Sequence, residues 1–355
     1  MIVNSMAVNN ELSTNDTVQM KAVVFERYGS PSVLEFKDVE KPEPKKDEIL
    51  VKVHATSVGY GDILVRKGNP RKEFNMPFPL YLITKLYFGI SRPKNKILGG
   101  DCSGIVEAVG EDVTKFKPGD EIFAYIGQSM GGNAEYICLS EKKTITIKPN
   151  NISFEEAAST SMGGLMASTI IERLDVKTGQ KVLVLGASGG IGHFAVQYFK
   201  MYGAEVTGVC STARVDLVKS LGADHVIDYT QEDYTKNGEV YDIIFDVIHR
   251  TSFKKAKKSL TKNGRYVLAS FGLKNFFHMF YRKIRGGKQV LCMMARESGE
   301  HLTAVKEHIE EGKIKSIVDK TFPLEKADEA HTYIENGNKK GHVVLTLDHL
   351  QADKS

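Results

Sequence analysis

Hydrophobic and polar positions change their pattern near residue 150. Between residues 20 and 149, short β-rich runs such as "SGIVEAVG" and "TITIKP" alternate with Gly and Pro at brief intervals. That spacing is typical of hairpins and predicts an all-β module with its own core. From residue 150 onward, apolar strand-like runs alternate with helical patterns, which predicts an α/β region with a doubly wound parallel sheet.

Individual elements of the second region are visible in the pattern. Ser153 is a predicted helix cap, with Glu155 and Glu156 in the first turn, where acids favour a helix start. The predicted buried strands are "KVLVLG", "AEVTGVC", "HVIDY", "YDIIFDVI", "RYVLAS" and "KQVLCMMA". The last of these is a predicted sheet edge, and an apolar edge favours pairing with a second copy of the chain. We therefore expect a homodimer.

Strand signals return after the α/β region. "SIVDKTFPL" and "HVVLTLDHL" need a sheet to join, and we expect them to return to the first module. A chain of 355 residues is also long for one core, which favours two domains. The expected organisation is a discontinuous β-rich catalytic domain, residues 20–149 and 313–348, interrupted by an α/β domain of residues 150–312.

Composition narrows the class of protein. The 48 Lys and Arg residues against 44 Asp and Glu leave a formal charge of +4, and these charges are scattered along the chain, so no nucleic-acid partner is expected. The four cysteines are far apart and form no CxxC pair, which argues against a zinc ribbon or a disulfide scaffold. A reducing, cytoplasmic location fits them.

No signal peptide is expected in the N-terminal stretch. Residues 1–19 are polar and lack both a basic start and an apolar run, so a disordered tail is predicted there. Elsewhere no apolar run approaches the roughly 20 residues that a membrane span requires. A soluble protein without a transmembrane segment is expected.

The stretch "VLGASGGIG" connects a predicted strand to a predicted helix. Ala187, Gly189 and Gly192 occupy the three positions of a GxGxxG phosphate turn, with alanine in the first. Glycines let backbone amides approach a pyrophosphate, and the helix that begins there adds the positive end of its dipole. The predicted dinucleotide-binding residues are Ala187, Ser188, Gly189, Gly190, Ile191 and Gly192. The alternative is a packing turn without a ligand.

The end of the second predicted strand bears on which cofactor is used. An NAD site usually has an acid there, whereas this chain has Cys210. Ser211, Thr212 and Arg214 follow and suit a 2′-phosphate, so NADPH is favoured over NADH, unless Arg214 is only a solvated residue at a helix start. Tyr229, at the end of the third strand, is a candidate contact for the adenosine of the cofactor.

Several segments, taken together and in order, resemble the medium-chain dehydrogenase/reductase superfamily in its zinc-independent, quinone oxidoreductase-like branch. They include "KVHATSVGYGD", "DCSGIVEAVGEDVTKFKPGD", "GASGGIG", "LGADHVIDY" and "KKGHVVLTL". The resemblance runs from about Met20 to Leu347. It implies a Rossmann domain that binds NADP, inserted in a GroES-like catalytic domain, with the active site in the cleft between them.

The resemblance also raises the question of zinc. Zinc-dependent members carry cysteine and histidine ligands at places where this chain has Gly59, Tyr60, Gly100 and Met162. A thioether is a poor zinc ligand and the other three offer none of the usual donors, so no zinc is expected. Without the metal, alcohol oxidation by Lewis-acid polarisation is disfavoured.

A zinc-free member reduces substrates that accept hydride without such activation. The resemblance implies a small lipophilic quinone or α,β-unsaturated carbonyl as substrate. Tyr60 is the candidate proton donor to the developing enolate, although it equally suits a role in packing or shaping the pocket. Two alternatives stay open: an NAD(P)-dependent alcohol or aldehyde oxidoreductase, and an NADPH-binding sensor or structural protein without turnover.

Other residues are assigned to the substrate pocket by resemblance. Gly59 and Asp62 accompany Tyr60, and Asp62 is interpreted as a helix N-cap rather than a general base. Met162 and Phe271 are expected along the nicotinamide side, although Phe271 also suits an ordinary core position.

Further features have no assigned role. Asp101 is expected to be a structural acid near the domain junction. His249 stands where relatives commonly have glycine, as a possible cofactor contact or a surface residue. Residues 74–96 and 271–288 are rich in aromatic and basic residues, which suits a flap over the substrate, a membrane-facing surface or an ordinary core cover.

Overall fold

The computed structural model describes residues 18–69, 78–249, 251–269, 271, 273–337 and 339–347. The predicted N-terminal tail lies outside this part up to residue 17. Its last residue, Gln19, already belongs to the first strand, because its backbone pairs opposite Glu40. The tail prediction was therefore wrong at its C-terminal end.

Mainly antiparallel strands form the β-rich part of the chain. A hairpin joins β1 (Gln19–Val24) to β2 (Glu35–Glu40). A seven-stranded sheet contains β3 (Glu48–Val58), β4 (Asp101–Val109), β5 (Glu121–Tyr125), β6 (Tyr136–Ser140), β7 (Thr144–Ile147), β14 (Val318–Pro323) and β15 (His342–Thr346). Its order is β14-β15-β3-β4-β5-β7, with β6 also paired to β3.

The two C-terminal strands return to the β-rich part, as their pattern predicts. β15 pairs antiparallel with β3, so that Val343 lies opposite Val58 and Thr346 opposite Ala55. β14 then pairs with β15 in parallel. The pairing supplies partners for backbone groups at an edge of β3 that β6 does not cover.

A six-stranded parallel sheet forms the α/β part. It contains β8 (Lys181–Leu185), β9 (Glu205–Cys210), β10 (His225–Asp228), β11 (Tyr241–Asp246), β12 (Leu260–Leu268) and β13 (Gln289–Cys292). The order is β10-β9-β8-β11-β12-β13, which confirms the predicted doubly wound sheet and places β13 at an edge. The strand order reverses between β8 and β11, and ligands of such sheets bind at that point.

Nine α-helices lie within the described residues. They are α1 (Tyr60–Lys67), α2 (Phe78–Phe88), α3 (Phe154–Glu172), α4 (Gly192–Met201), α5 (Val215–Ser220), α6 (Phe253–Ala256), α7 (Leu273–Arg285), α8 (Gly299–Glu310) and α9 (Ala327–Glu335). None of them is long and apolar enough to cross a bilayer.

Helix α3 connects the two sheets. It begins as predicted, because the Ser153 hydroxyl accepts from the Glu156 amide and the Glu156 carboxylate accepts from the Ser153 amide. Ala158, near its start, packs with residues of β3 and β15, whereas Ile170 and Ile171 belong to the core of the parallel sheet. The helix is buried on both sides, and its buried Ser and Thr hydroxyls donate to backbone carbonyls one turn earlier in the same helix. The boundary between the domains at residues 149 and 150 stays a prediction.

Candidate functional site

The glycine turn after β8 has the backbone geometry that its sequence predicts. Gly186 has φ of +83°, which favours glycine, and its carbonyl accepts from the Gly189 amide at 3.0 Å. At Gly192 an added Cβ would lie 2.0 Å from the Gly186 carbonyl oxygen. Strand, turn and helix therefore pass too close together for any other residue at this position.

The outer side of the turn is open. An added Cβ at Gly189 would meet a single atom within 4 Å, the Gly186 oxygen at 3.3 Å. Helix α4 begins at Gly192, and the positive end of its dipole favours an anion there. The residues of this turn therefore fit the pyrophosphate of a dinucleotide.

Two buried histidines support the turn from beneath. His193 Nδ1 lies 2.9 Å from the Gly189 carbonyl and His342 Nε2 lies 3.1 Å from the Gly190 carbonyl, with the two rings 5.3 Å apart. Burial lowers the pKa of His193 to about 4 and holds the pKa of His342 well below its usual range. Both rings are therefore neutral at pH 7. Sequence reasoning missed them, because His342 comes from β15, far along the chain.

Helix α3 brings the turn and the predicted catalytic loop together. At Gly163, an added Cβ would lie 2.3 Å from the Gly190 carbonyl oxygen, so this helix packs directly on the turn. Its neighbour Met162 lies beside the residue before α1, with its Cε 3.8 Å from the position that a Cβ on Gly59 would take. Gly59 immediately precedes Tyr60, which begins α1 and is 52% exposed. Two adjacent residues of α3 thus connect the turn to the start of α1.

Asp62 is buried and tied to the backbone. Its carboxylate accepts from the amides of Gly59 at 2.8 Å and Gly99 at 2.9 Å. Helix α1 begins at Tyr60, so Gly59 is the N-cap and the prediction that Asp62 is the cap was wrong. From the third helical position, the carboxylate instead reaches back to the amide before the helix. Burial raises its pKa, and its contacts suit positioning of the Tyr60 loop.

Asp101 is the structural acid that the sequence predicts. It lies at the start of β4, is buried, and accepts from the Ser57 amide at 2.7 Å and the Ser57 hydroxyl at 2.6 Å. Burial raises its pKa to about 8, against the opposing effect of the Ser57 hydrogen bonds. It holds β3 to β4 directly before the loop that carries Tyr60.

An acid that sequence reasoning missed, Asp228, lies beside the end of β9. Thr212 Oγ1 donates to Asp228 Oδ2 at 2.5 Å, and Thr230 also contacts that carboxylate. Asp228 ends the neighbouring strand, β10, and lies opposite Cys210 in the pairing of the two strands. The end of β9 therefore has a carboxylate beside it, although Cys210 itself supplies none. The hydrogen bond from Thr212 contributes most to lowering the pKa of Asp228. Only the pairing of the two strands reveals this group.

Two cations approach each other near the same place. Arg214, in a short 3-10 helix after β9, donates to the Gly337 carbonyl at 2.6 Å and so links the two parts of the chain. Lys339, two residues beyond Gly337, is half-buried. Burial lowers its pKa, and the positive charge of Arg214 lowers it further. Tyr229 follows β10, and its side chain is 57% exposed. Its backbone amide donates a hydrogen bond to the Cys210 carbonyl.

Phe271 stays a predicted residue of the nicotinamide side, together with Met162. It follows β12 and packs against the apolar cluster on one face of the parallel sheet, whereas α3 packs on the opposite face. Its ring lies 6.1 Å from that of Phe276 in α7. The sequence did not show on which face of the sheet Phe271 packs, because both faces of this sheet are apolar.

His249 adopts a backbone conformation that favours glycine. Its φ is +50°, in the left-handed region, and its amide donates to Asp246 Oδ1 at 2.8 Å. Asp246 is buried and also accepts from the Tyr266 hydroxyl at 2.6 Å. This network fixes the turn after β11, at the point where the strand order reverses.

No group of three or more His, Cys, Asp or Glu side chains suited to a metal occurs in the described part of the chain. Gly59, Tyr60, Gly100 and Met162, which the resemblance assigns to the positions of zinc ligands, offer a phenol and a thioether as their only side-chain donors. Neither is a usual zinc ligand.

Comparison with known proteins places the chain in a family. Residues 45–150 match the model of the alcohol dehydrogenase GroES-like domain, and residues 221–345 match a model described as zinc-binding dehydrogenase. A chloroplastic quinone-oxidoreductase, QR1, of Triphysaria versicolor is 32% identical over 92% of this chain and 98% of its own length. A chloroplastic NADPH-dependent alkenal/one oxidoreductase of Arabidopsis thaliana is 31% identical over 96% of this chain and 83% of its own.

A solved structure agrees with these matches. The quinone oxidoreductase from Coxiella burnetii superposes with a TM-score of 0.81 at 28% identity, covering 93% of this chain and all of that one. The chain therefore belongs to the medium-chain dehydrogenase/reductase superfamily. Within that superfamily it is a quinone oxidoreductase-like member, with a Rossmann domain and a GroES-like domain.

Proposed function

We propose that the protein is an NADPH-dependent, zinc-independent reductase of quinones or α,β-unsaturated carbonyls. The observation that carries the proposal is the placement of adjacent α3 residues, Gly163 against the glycine turn and Met162 beside Gly59. A dinucleotide held by the turn then lies beside the loop of Tyr60. The names of the similar proteins, quinone-oxidoreductase and NADPH-dependent alkenal/one oxidoreductase, support this substrate class.

Residues of both domains are assigned to the cofactor. The turn from Ala187 to Gly192 would hold the pyrophosphate, and Ser211, Thr212 and Arg214 the 2′-phosphate. Lys339 adds a second cation near Arg214. Both cations favour NADPH over NADH, whereas the Asp228 carboxylate beside Thr212 opposes a second anion and suits a ribose hydroxyl. Tyr229 is assigned to the adenosine.

The chemistry divides between cofactor and chain. The bound dinucleotide supplies a hydride, and a conjugated acceptor takes it because the charge is delocalised onto an oxygen. The chain orients the acceptor at the cleft beside Gly59 and Met162. The Tyr60 phenol donates a proton to the oxygen that becomes negative. Asp62 and Asp101 hold the loop of Tyr60 through their buried backbone contacts.

The reaction is tested by following NADPH oxidation at 340 nm with quinones, enones, enals and simple aldehydes, with chelator present. We expect turnover of the conjugated acceptors, unchanged by chelator, with NADH slower. Loss of activity with chelator and its recovery with zinc would support the alcohol or aldehyde oxidoreductase instead. Tight NADPH binding without turnover of any acceptor would support the non-catalytic sensor.

Replacement of Tyr60 by phenylalanine tests the proton donor. We expect kcat for an enone to fall by about 100-fold, because general acid catalysis typically contributes 10²–10⁴-fold, while the Kd for NADPH is unchanged. The measurements are steady-state kinetics and a fluorescence titration of NADPH. Tyr87→Phe, at a similarly exposed tyrosine of α2, is the matched control. An unchanged kcat would leave Tyr60 as a packing residue only.

The proposal also includes an oligomeric state and a cellular location. The exposed edge at β13 supports a homodimer in which this strand pairs with its copy. A cytoplasmic location is the expectation from the cysteines, although similar proteins are named chloroplastic and mitochondrial.

A further inference from the structure

Helix α7 presents its apolar side outward. Ile284 is 87% exposed and Phe277 is 73% exposed, and these residues lie seven positions apart, on one side of the helix. We define the α7 face as the exposed apolar side chains of this helix, which are Phe276, Phe277, Phe280, Tyr281 and Ile284. The opposite side contacts the protein, where Arg282 Nε donates to the Lys288 carbonyl and the guanidinium lies over the Phe253 ring. The helix is therefore amphipathic, but its apolar side faces solvent and its polar side faces the protein. A helix that covers a core has the opposite orientation.

Helix α2 shows the same inversion. Lys85 is buried, with its ammonium 4.1 Å from the centroid of the Tyr28 ring and near the Gly68 carbonyl. The exposed side of this helix carries Leu82, Ile83, Leu86 and Tyr87. Single exposed apolar residues are normal, but contiguous apolar faces mark sites of interaction. Helix α2 is therefore a second helix of this chain with a contiguous apolar side exposed.

The sequence around both helices has no acidic residue. Residues 271–296 contain no Asp or Glu, and their basic residues are Lys274, Arg282, Lys283, Arg285, Lys288 and Arg296. Residues 74–100 also contain no acid, and their basic residues are Lys85, Arg92, Lys94 and Lys96. In the whole chain, basic and acidic residues nearly balance, at 48 to 44. The exposed apolar residues and the local excess of positive charge therefore coincide.

Aromatic rings connect the α7 face to the ligand-binding edge of the parallel sheet. Phe271 follows the carboxyl end of β12, and its ring lies 6.1 Å from that of Phe276. The Phe276 ring lies 5.9 Å from that of Phe280. A lipophilic molecule thus has an apolar path from the α7 face toward the edge where doubly wound sheets bind their ligands.

We propose that the α7 face binds the surface of an anionic lipid bilayer. A helix with aromatic and aliphatic residues on one side and a basic surround is the type that lies in the headgroup region. A symmetric contact with a second copy through the same face is disfavoured, because it would bring two acid-free, basic segments together. The proposal concerns where the protein works and is independent of the reaction that it catalyses.

The test uses the full chain and flotation with vesicles of phosphatidylcholine, with or without phosphatidylserine. We expect binding to the vesicles that contain phosphatidylserine, weakened by high salt. The double variant Phe277→Ser/Ile284→Ser should bind these vesicles at least about tenfold more weakly, because two exposed anchors are lost. Val240→Ser, at an exposed apolar residue before β11, is the matched control and should bind like the unchanged protein.

Three further measurements decide between the proposal and its rivals. NADPH oxidation with a water-soluble enone and the melting temperature should be the same for both variants and the unchanged protein. A loss of that activity in the double variant, with vesicle binding retained, would show a substrate lid and overturn the proposal. Conversion of an oligomer to a monomer by the double variant, measured by light scattering without lipid, would show a contact between copies. Equal binding to neutral and anionic vesicles would also overturn it.

Discussion

Replacement of Gly192 by alanine is expected to weaken productive cofactor binding strongly. The added methyl group would lie 2.0 Å from the Gly186 carbonyl oxygen and 2.8 Å from its carbonyl carbon, so the turn and helix α4 must separate. Overpacking of this kind costs about 1–3 kcal/mol of stability. Displacement of the turn by about 1 Å lowers kcat/KM by about 100-fold, because the cofactor is no longer aligned. Fluorescence titration with NADPH and steady-state kinetics measure the effect.

Two other substitutions distinguish an effect on NADPH affinity from an effect on the stability of the fold. Gly61→Ala, in α1, adds a methyl group that meets no atom within 4 Å and should leave NADPH affinity unchanged. Gly189→Ala adds one on the open side of the turn, so it should weaken NADPH binding at an unchanged melting temperature. Normal NADPH affinity in Gly192→Ala would contradict the proposed role of the turn.

The second large effect is expected at Arg214. Its replacement by alanine should raise the Kd for NADPH about 10- to 100-fold, because a hydrogen bond to a charged group contributes about 1.5–3 kcal/mol. The Kd for NADH should be unchanged, since NADH lacks the 2′-phosphate. Titration of both cofactors with the variant measures this selectivity directly.

Arg214 also donates to the Gly337 carbonyl, and loss of this contact is the alternative explanation for a weaker binding of NADPH. Equal loss of affinity for NADPH and NADH would show that Arg214 acts through this contact between the domains. Asp228→Asn is the companion variant, because it removes a negative charge 2.5 Å from Thr212 Oγ1. It should tighten NADPH binding and leave NADH binding unchanged or weaker.

Much of the fold follows from local patterns. The apolar runs predict the strands of the parallel sheet, and the glycines predict the turn between β8 and α4. Such features are readable because backbone sterics and hydrophobic periodicity act over a few residues. The cap at Ser153 is predictable for the same reason. Asp62 shows the limit of that reading, since a capping acid was recognised but its position in the helix was wrong by three residues.

The site depends on contacts between distant segments. His193 and His342 meet beneath the turn although they lie in different domains, and Asp228 reaches Thr212 because β10 pairs with β9. Phe271 packs on one face of the parallel sheet and the core residues of α3 on the other, while the expected place of Phe271 and Met162 along the nicotinamide stays a prediction. No local pattern specifies these relations.

By itself, the sequence determined the family, the alternation of strands and helices, the glycine turn and the absence of the usual zinc ligands at four named positions. These depend on residue identity and short spacing. Tertiary structure alone decided that α3 joins the turn to the Tyr60 loop, that Asp228 stands beside Thr212, and that α2 and α7 turn their apolar sides outward. The physical reason is that burial and charge are properties of the packed chain: the same amphipathic pattern suits a core or a surface until its neighbours are in place.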